Sequence, residues 1–268
     1  MIDKAFELYN SGNVKEAANE ILDSLEKNED LQGQQINLAR ILLLAGNWGI
    51  ITALHKPRTN GLIETGWLQS LLSSRPVNAE KEPIPWFTYS AIDFLENILC
   101  ESWNIFEWGS GNSTKWWAKK VNSVTAIEDD QEWYAEVIPS LPDNAHVHYK
   151  EGKDYVDCIH EYPNQSFDVI ILDGSQRNEA ARACVEKLTD DGIIIFDNSD
   201  MQAHDDGQIF LEDNGFTRLD FWGLIPSYLY KNCTSVFFRN IESIKPKSIP
   251  SKLVSSVGKS CAQAVDNP

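Results

Sequence analysis

The stretch "WNIFEWGSGNSTKWWAKKV", Trp103 to Val121, decides the fold. It opens as a short apolar strand, turns through two glycines one residue apart, and runs on with helical character. The alternation then repeats. "SVTAIE" reads as a strand and "DQEWYAEVIPSL" as a helix; "HVHYK" as a strand and "GKDYVDCIHEY" as a helix; "FDVIILD" as a strand and "NEAARACVEKL" as a helix. "GIIIFD" is a further strand, with a helix expected around 205–214. Strands alternating with helices predict an α/β fold, a parallel sheet covered on both faces. The continuous apolar runs Val169–Leu172 and Ile193–Phe196 fit its centre. The last two strands, "FTRLDFW" and "TSVFFR", leave no room for a helix between them, so the final strand is expected to be antiparallel.

Ligands of an open parallel sheet bind outside the carboxyl ends of its strands. Here those ends carry Glu107, Glu128, Glu151, Asp173 and Asp197. Each can also cap the helix that follows. The glycine loop holds Gly109, Ser110 and Gly111, then Thr114 where a dinucleotide fingerprint has its third glycine. No Gly-Lys-Ser/Thr follows, which excludes a phosphate-binding P-loop. Glu107 stands two residues before the first glycine. A carboxylate there repels a pyrophosphate and favours a cationic amine or sulfonium. The expected ligand therefore carries a positive group and lacks phosphates.

These residues resemble motif I of the class I S-adenosylmethionine-dependent methyltransferases. The likeness extends through "AIEDD", "FDVIILDG" and "GIIIFDNSD" to "TSVFF", over about residues 83–240. It implies a Rossmann-like seven-stranded sheet, mostly parallel, with the last strand antiparallel. It also implies S-adenosylmethionine as cofactor. Glu107 would lie near the methionine amino group, with Gly109, Ser110 and Gly111 at the cofactor. Asn112, Ser113 and Thr114 would offer hydrogen bonds at the helix start. Glu128, with Asp129 in competition, would accept the ribose hydroxyls. Glu151 and Gly152 would border the adenine, and Asp173 would face the reactive end. Trp133 is expected to pack its helix rather than stack on the adenine.

Methyl transfer needs a nucleophile aligned with the S–CH₃ bond and a base for its proton. The candidate bases are Asp173, Asp197 and His204. Asp173 with Asp197-Asn198 also resembles the cation site of the catechol-type methyltransferases. Mg²⁺ is possible there but not favoured, because Asn198 and Ser199 can cap the next helix. "PIPWFTY", Pro83 to Tyr89, supplies Trp86, Phe87 and Tyr89 as lid or core residues. Arg177 is expected to bind an anionic group or to cap locally.

The remainder of the chain bounds the partners. It has 268 residues and a formal net charge of −17. So acidic a surface disfavours nucleic acid. The five cysteines, at 100, 158, 184, 233 and 261, form no disulfide or zinc pattern. "MIDKAFELYNSGNVKEA" lacks signal-peptide character, and "ARILLLAGNWGIITAL" is too short and interrupted to span a bilayer. A cytoplasmic protein without membrane contact is expected. Gly12-Asn13 and Gly46-Asn47 lie 34 residues apart, as do Ala5 and Ala39, with Ala17 and Ile51 at equivalent places. That echo resembles a tetratricopeptide repeat and makes the N-terminal helices a cap or a protein-docking module. The expected organisation is a helical segment at 1–56, a linker at 57–82, the methyltransferase domain at 83–240 and a disordered tail at 241–268. The expected function is in-line methyl transfer to a small-molecule or glycan-type acceptor. A nucleotide-cofactor oxidoreductase of NAD type and a non-catalytic interaction protein are the alternatives.

Overall fold

In the computed structural model, residues 2–26, 41, 45 and 61–246 are described. Two compact units emerge, a smaller one that includes Met1–Lys81 and a larger one over Glu82–Leu253. In the smaller unit α1 (Ile2–Asn10) and α2 (Val14–Glu26) form a helical hairpin. Gly12, at φ +86°, lets the chain leave α1, and the Asn13 N–H donates to the Leu8 carbonyl at 2.8 Å. Ala5, Ala17, Ile21 and Ile41 bury a small common core. The second half of the internal echo (Ala39, Gly46-Asn47, Ile51) lies outside the described residues, as do Cys261 and the rest of 247–268; the disordered tail expected from 241 does not begin there, because Ile241–Ile244 form a 3-10 turn capped by Asn240. Short helices α3 (Gly61–Glu64) and α4 (Trp67–Ser73) follow. Among the described residues, no helix is long and apolar enough to cross a membrane.

The larger unit opens with α5 (Tyr89–Ile98). Then come β1 (Asn104–Trp108), α6 (Asn112–Ala118), β2 (Ser123–Glu128), α7 (Gln131–Val137), β3 (Ala145–Tyr149) and α8 (Gly152–Asp157). After these lie β4 (Phe167–Leu172), α9 (Arg177–Cys184), β5 (Leu188–Asp197), α10 (Asp205–Asp213), β6 (Thr217–Gly223) and β7 (Asn232–Phe238). The seven strands make one sheet in the order β3-β2-β1-β4-β5-β7-β6. The first five are parallel, and β7 runs antiparallel to both β5 and β6. The expected α/β Rossmann-like fold with an antiparallel last strand is the fold observed. One boundary differs. Helix α9 ends at Cys184, and β5 starts at Leu188, which pairs with Phe167 before a register shift. The charged "TDD" between Leu188 and Gly192 hides this early start, because it breaks the apolar run that marks the strand.

Alternation along the strands sorts the core into two faces. Ile105, Val124, Val169, Ile171, Ile193 and Ile195 pack on the face covered by α5 and α6. Phe106, Trp108, Ile170, Leu172, Ile194 and Phe196 pack on the other, against α8 and α9. The same alternation places the acids. Glu107 follows Ile105 by two residues, Asp173 follows Ile171, and Asp197 follows Ile195. Glu128 follows Ala126, two beyond Val124. The four carboxylates therefore continue one face of the sheet, where its apolar columns reach the carboxyl edge.

Candidate active site

The site is built on the β1–α6 turn. Gly109 has φ +97°, and a Cβ there would stand 3.2 Å from the Asp173 carbonyl oxygen, so only glycine lets the turn pass beside the end of β4. Gly111, at φ +150°, would put a Cβ 3.3 Å from Cζ2 of Trp133. The Trp133 indole N–H donates to the Ser110 carbonyl at 2.8 Å. Trp133 thus braces the glycine loop from α7.

Beneath the loop lies Glu107, with no exposed surface. The Thr114 hydroxyl donates to its Oε2 at 2.6 Å and the Trp117 indole N–H to its Oε1 at 3.2 Å. The Gly111 N–H donates to the Thr114 hydroxyl at 3.0 Å, so one side chain ties loop, helix start and acid together. Burial pushes the Glu107 carboxyl up to about 7, against donors including Ser113, Thr114 and Trp117 that hold it down. Thr114 and Ser113 point inward to this acid rather than into the crevice. Asn112 is the first residue of α6 and is half-buried.

Glu128 is fixed differently. The Ser110 hydroxyl donates to its Oε2 at 2.7 Å, and the backbone N–H groups of Asp129 and Asp130 donate to its Oε1 at 3.1 Å each. Asp129 instead accepts from the Ser175 hydroxyl in the loop after β4. The next residue, Gln176, in the left-handed region at φ 53°, donates from its amide to the Gly152 carbonyl at 3.2 Å. The segment Asp173–Arg177 therefore reaches over the end of β1 to touch the ends of β2 and β3. Glu151 is exposed and accepts from the Tyr149 hydroxyl. Below this segment the Tyr155 hydroxyl is buried, and a Cβ on Gly174 would fall 1.8 Å from it.

Asp173 and Asp197 meet at the ends of β4 and β5. Burial raises both carboxyls; Glu107 and Glu128 push Asp173 further and Asp173 pushes Asp197, while Arg177 partly offsets the rise in each. The Thr234 hydroxyl, from β7, donates to Asp197 Oδ1 at 2.6 Å. Arg177 donates from Nε to the Gly174 carbonyl at 2.9 Å and from Nη2 to the Asp173 carbonyl at 3.2 Å and carboxylate at 3.3 Å. Its Nη1 donates to the Asn198 side-chain oxygen at 2.9 Å and to the Asp197 carbonyl. All five guanidinium N–H donors are spent on the protein. Arg177 is thus a clamp between two strand ends rather than an anion receptor. It holds one Asp173 carboxylate oxygen, the Asn198 side-chain oxygen and the Asp197 backbone carbonyl, while the Asp197 carboxylate accepts from Thr234. Among the described residues no group of three or more His, Cys, Asp or Glu is placed to hold a metal ion.

His204 ends a short 3-10 turn, 202–204, its ring 5.9 Å from that of Phe196. Burial, then Arg177, lowers its pKa, so the imidazole is neutral at neutral pH. "PIPWFTY" also converges here. Thr88 caps α5 and takes part in the site through its backbone N–H, which donates to the Thr234 hydroxyl at 3.2 Å. Phe87 is core, fully buried against Trp117 at 6.0 Å between ring centres. Tyr89, partly buried, packs against the same core. Trp86 is half-buried, its indole N–H donating to the Pro226 carbonyl at 2.7 Å. Sequence reasoning missed Ser175, Gln176, Tyr155 and Thr234.

No protein-family profile matches the chain, and neither does any curated protein. Solved structures do resemble it. Over 56% of its length the chain is similar to 87% of a precorrin-6y C5,15-methyltransferase from Geobacter metallireducens GS-15, with 14% identity and a TM-score of 0.46. Over 62% it is similar to 66% of a spermidine synthase solved with the transition-state analogue AdoDATO, with 13% identity and a TM-score of 0.48. Over 55% it is similar to 92% of an rRNA methylase from Streptococcus thermophilus, with 17% identity and a TM-score of 0.42. The chain thus spans just under two thirds of the spermidine synthase. The functional reading rests on the geometry of the site.

Proposed function

We propose that the larger unit is an S-adenosylmethionine-dependent methyltransferase acting on a small-molecule or glycan-type acceptor. The observation that carries this reading is the buried Glu107 beneath the glycine loop, with Glu128 and Asp173 close enough to act on one another electrostatically. The one arginine beside them has no donor left. A pyrophosphate laid on this loop would meet negative charge with no compensation. A ligand bearing an ammonium and a sulfonium would relieve it.

The residues present fit that cofactor. Gly109 and Gly111 leave the loop bare where side chains would fill it. Glu128, held by two backbone N–H groups and Ser110, is a fixed acceptor for a pair of ribose hydroxyls. Glu107 has no exposed surface, so it acts through its charge and through Thr114, one layer below the ligand. The cofactor supplies an already activated methyl group. Bound there, it would donate that methyl to an acceptor lone pair, with Glu128 at the ribose and Gly109 and Gly111 beneath it. The protein's task is alignment and removal of the acceptor's proton. Asp173 and Asp197, raised toward neutrality, and the neutral His204 stand at the strand ends where that proton departs.

Isothermal titration with S-adenosylhomocysteine and with NADH tests this directly. Micromolar binding of the first and none of the second is expected. Binding of NADH without S-adenosylhomocysteine would return the oxidoreductase reading.

A further inference from the structure

Beyond Asp197 the carboxyl edge of the sheet is closed by the loop from Leu224 to Lys231, between β6 and β7. Strand β6 runs in the direction of β5, so this loop rises at the same edge as the strand-end acids. It is joined to the segment before α5 by the Trp86–Pro226 bond and by the Tyr89 N–H, which donates to the Leu224 carbonyl at 3.1 Å. Three rings follow one another there. Trp86 and Tyr228 have centres 6.1 Å apart, and Tyr228 and Tyr230 4.8 Å. Tyr230 is 53% exposed. Its phenol feels the charge of Asp200 and Asp197, as well as Tyr228. Asp200 is set by the Cys233 N–H, which donates to its Oδ1 at 3.1 Å.

The carboxylates near these rings are Asp197 and Asp200, and the loop itself adds one cation, Lys231. Arg177 is spent on the protein, and Lys231 lies 4.3 Å over the exposed Trp222 ring. A ligand anion would find aromatic π-faces and carboxylates. A protonated amine would find both favourable, since ring faces and carboxylates each attract a cation.

We propose that Trp86, Tyr228 and Tyr230 form the wall of the acceptor site and that the acceptor is a small molecule carrying a protonated amine next to an apolar or ring body, its charge held by Asp200 beside Tyr230. This deepens the methyltransferase reading and rests on it for the reaction, not for the binding.

Calorimetry on the full chain tests it with three probes of one shape, phenethylamine, 2-phenylethanol and phenylacetate, with and without saturating S-adenosylhomocysteine. The amine should bind about tenfold or more tighter than the carboxylate, with the alcohol between. Tyr230→Leu and Asp200→Asn should each weaken the amine by about fivefold or more while leaving the melting temperature within a few degrees and S-adenosylhomocysteine affinity unchanged. Binding of none of the probes, equal or stronger binding of the carboxylate, or indifference to both substitutions would overturn the proposal. If S-adenosylhomocysteine fails to bind while the amine preference holds, the cofactor reading falls and the amine site stands. If it binds and the preference is absent, the reverse follows.

Discussion

The Thr114 hydroxyl donates to the Glu107 carboxylate across 2.6 Å inside a region that water does not reach. The acid is nevertheless raised to about 7, so burial outweighs its donors. The sign of the resulting linkage is fixed. An unfolded Glu titrates near 4.5, the folded one near 7, so between these values the folded state holds the extra proton and stability falls as pH rises. Glu107 alone should cost about 3 kcal/mol of stability between pH 4.5 and pH 8. Urea denaturation at several pH values should show a flatter profile in Glu107→Gln. A cationic cofactor should offset that cost in the wild type, so S-adenosylmethionine, which carries the sulfonium, should bind more tightly at pH 8 than at pH 6 and release protons on binding. An unchanged slope in the variant would remove Glu107 from this role.

Glu128 and Asp129 are adjacent carboxylates with different commitments. Glu128 is preorganised by three donors, whereas Asp129 is engaged by Ser175. Glu128→Gln should weaken S-adenosylhomocysteine by about 10- to 100-fold, the loss of a charge-assisted hydrogen bond pair. Asp129→Asn should change it by no more than a few-fold. Calorimetry on the two variants checks this, and the opposite order would give the ribose to Asp129.

Gly174 has no room for a methyl group. Its Cβ would meet the Tyr155 hydroxyl at 1.8 Å and the Gly109 nitrogen at 3.0 Å. Gly174→Ala should lose about 1–3 kcal/mol by overpacking. Removing the opposing oxygen in Tyr155→Phe should recover part of that loss in the double variant, a coupling that a double-mutant cycle of melting temperatures reads. Additive losses would mean the backbone contact dominates.

Arg177 ties the ends of β4 and β5 through five acceptors on four residues. Its role depends on a planar fork that lysine does not have. Arg177→Lys should therefore destabilise the protein nearly as much as Arg177→Ala, by about 1–2 kcal/mol, because the carbonyls of Gly174, Asp173 and Asp197 lose their fork of donors while the part-exposed Asp173 carboxylate is screened by solvent. Denaturant midpoints of the two variants check this. Full stability in the lysine variant would reduce the clamp to a point charge.

Much of this site was legible because it lies at local boundaries. The apolar runs ending in acids gave Glu107, Glu128, Asp173 and Asp197 their places, and the parity with Ile105, Ile171 and Ile195 that puts them on one face is also written in the strands. The glycine turn was readable for the same reason: strand, turn and helix are contiguous. The partners of those acids were not. Trp117 reaches Glu107 from one helix turn past Thr114, Thr234 reaches Asp197 from another strand, and Ser175 reaches Asp129 across the sheet edge. Such contacts depend on strand order, which no single segment encodes. Arg177 shows the division within one residue. Its i, i+4 spacing from Asp173 was visible, while the Asn198 and Asp197 oxygens that exhaust its donors were not.

Thr234 is the donor that keeps Asp197 tractable as a base. Asp197 is buried, crowded by Asp173, and raised by both; the Thr234 hydroxyl and Arg177 pull in the other direction. Thr234→Val keeps the shape and deletes the donor. The ionised form then loses its hydrogen bond while the protonated form loses little, so the proton should be held still more tightly. A ¹³C titration of the aspartate carboxyls, with Asp197 assigned through Asp197→Asn, should show its midpoint moving upward by about one pH unit in Thr234→Val, the worth of one charge-assisted hydrogen bond. The sign carries through to activity. A base must be ionised to accept the acceptor's proton, so the rising limb of the pH–rate profile should move to higher pH, with the loss at pH 7 recovered at pH 9. A pure packing role for Thr234 would lower the rate equally at all pH values and leave the carboxyl midpoint where it was.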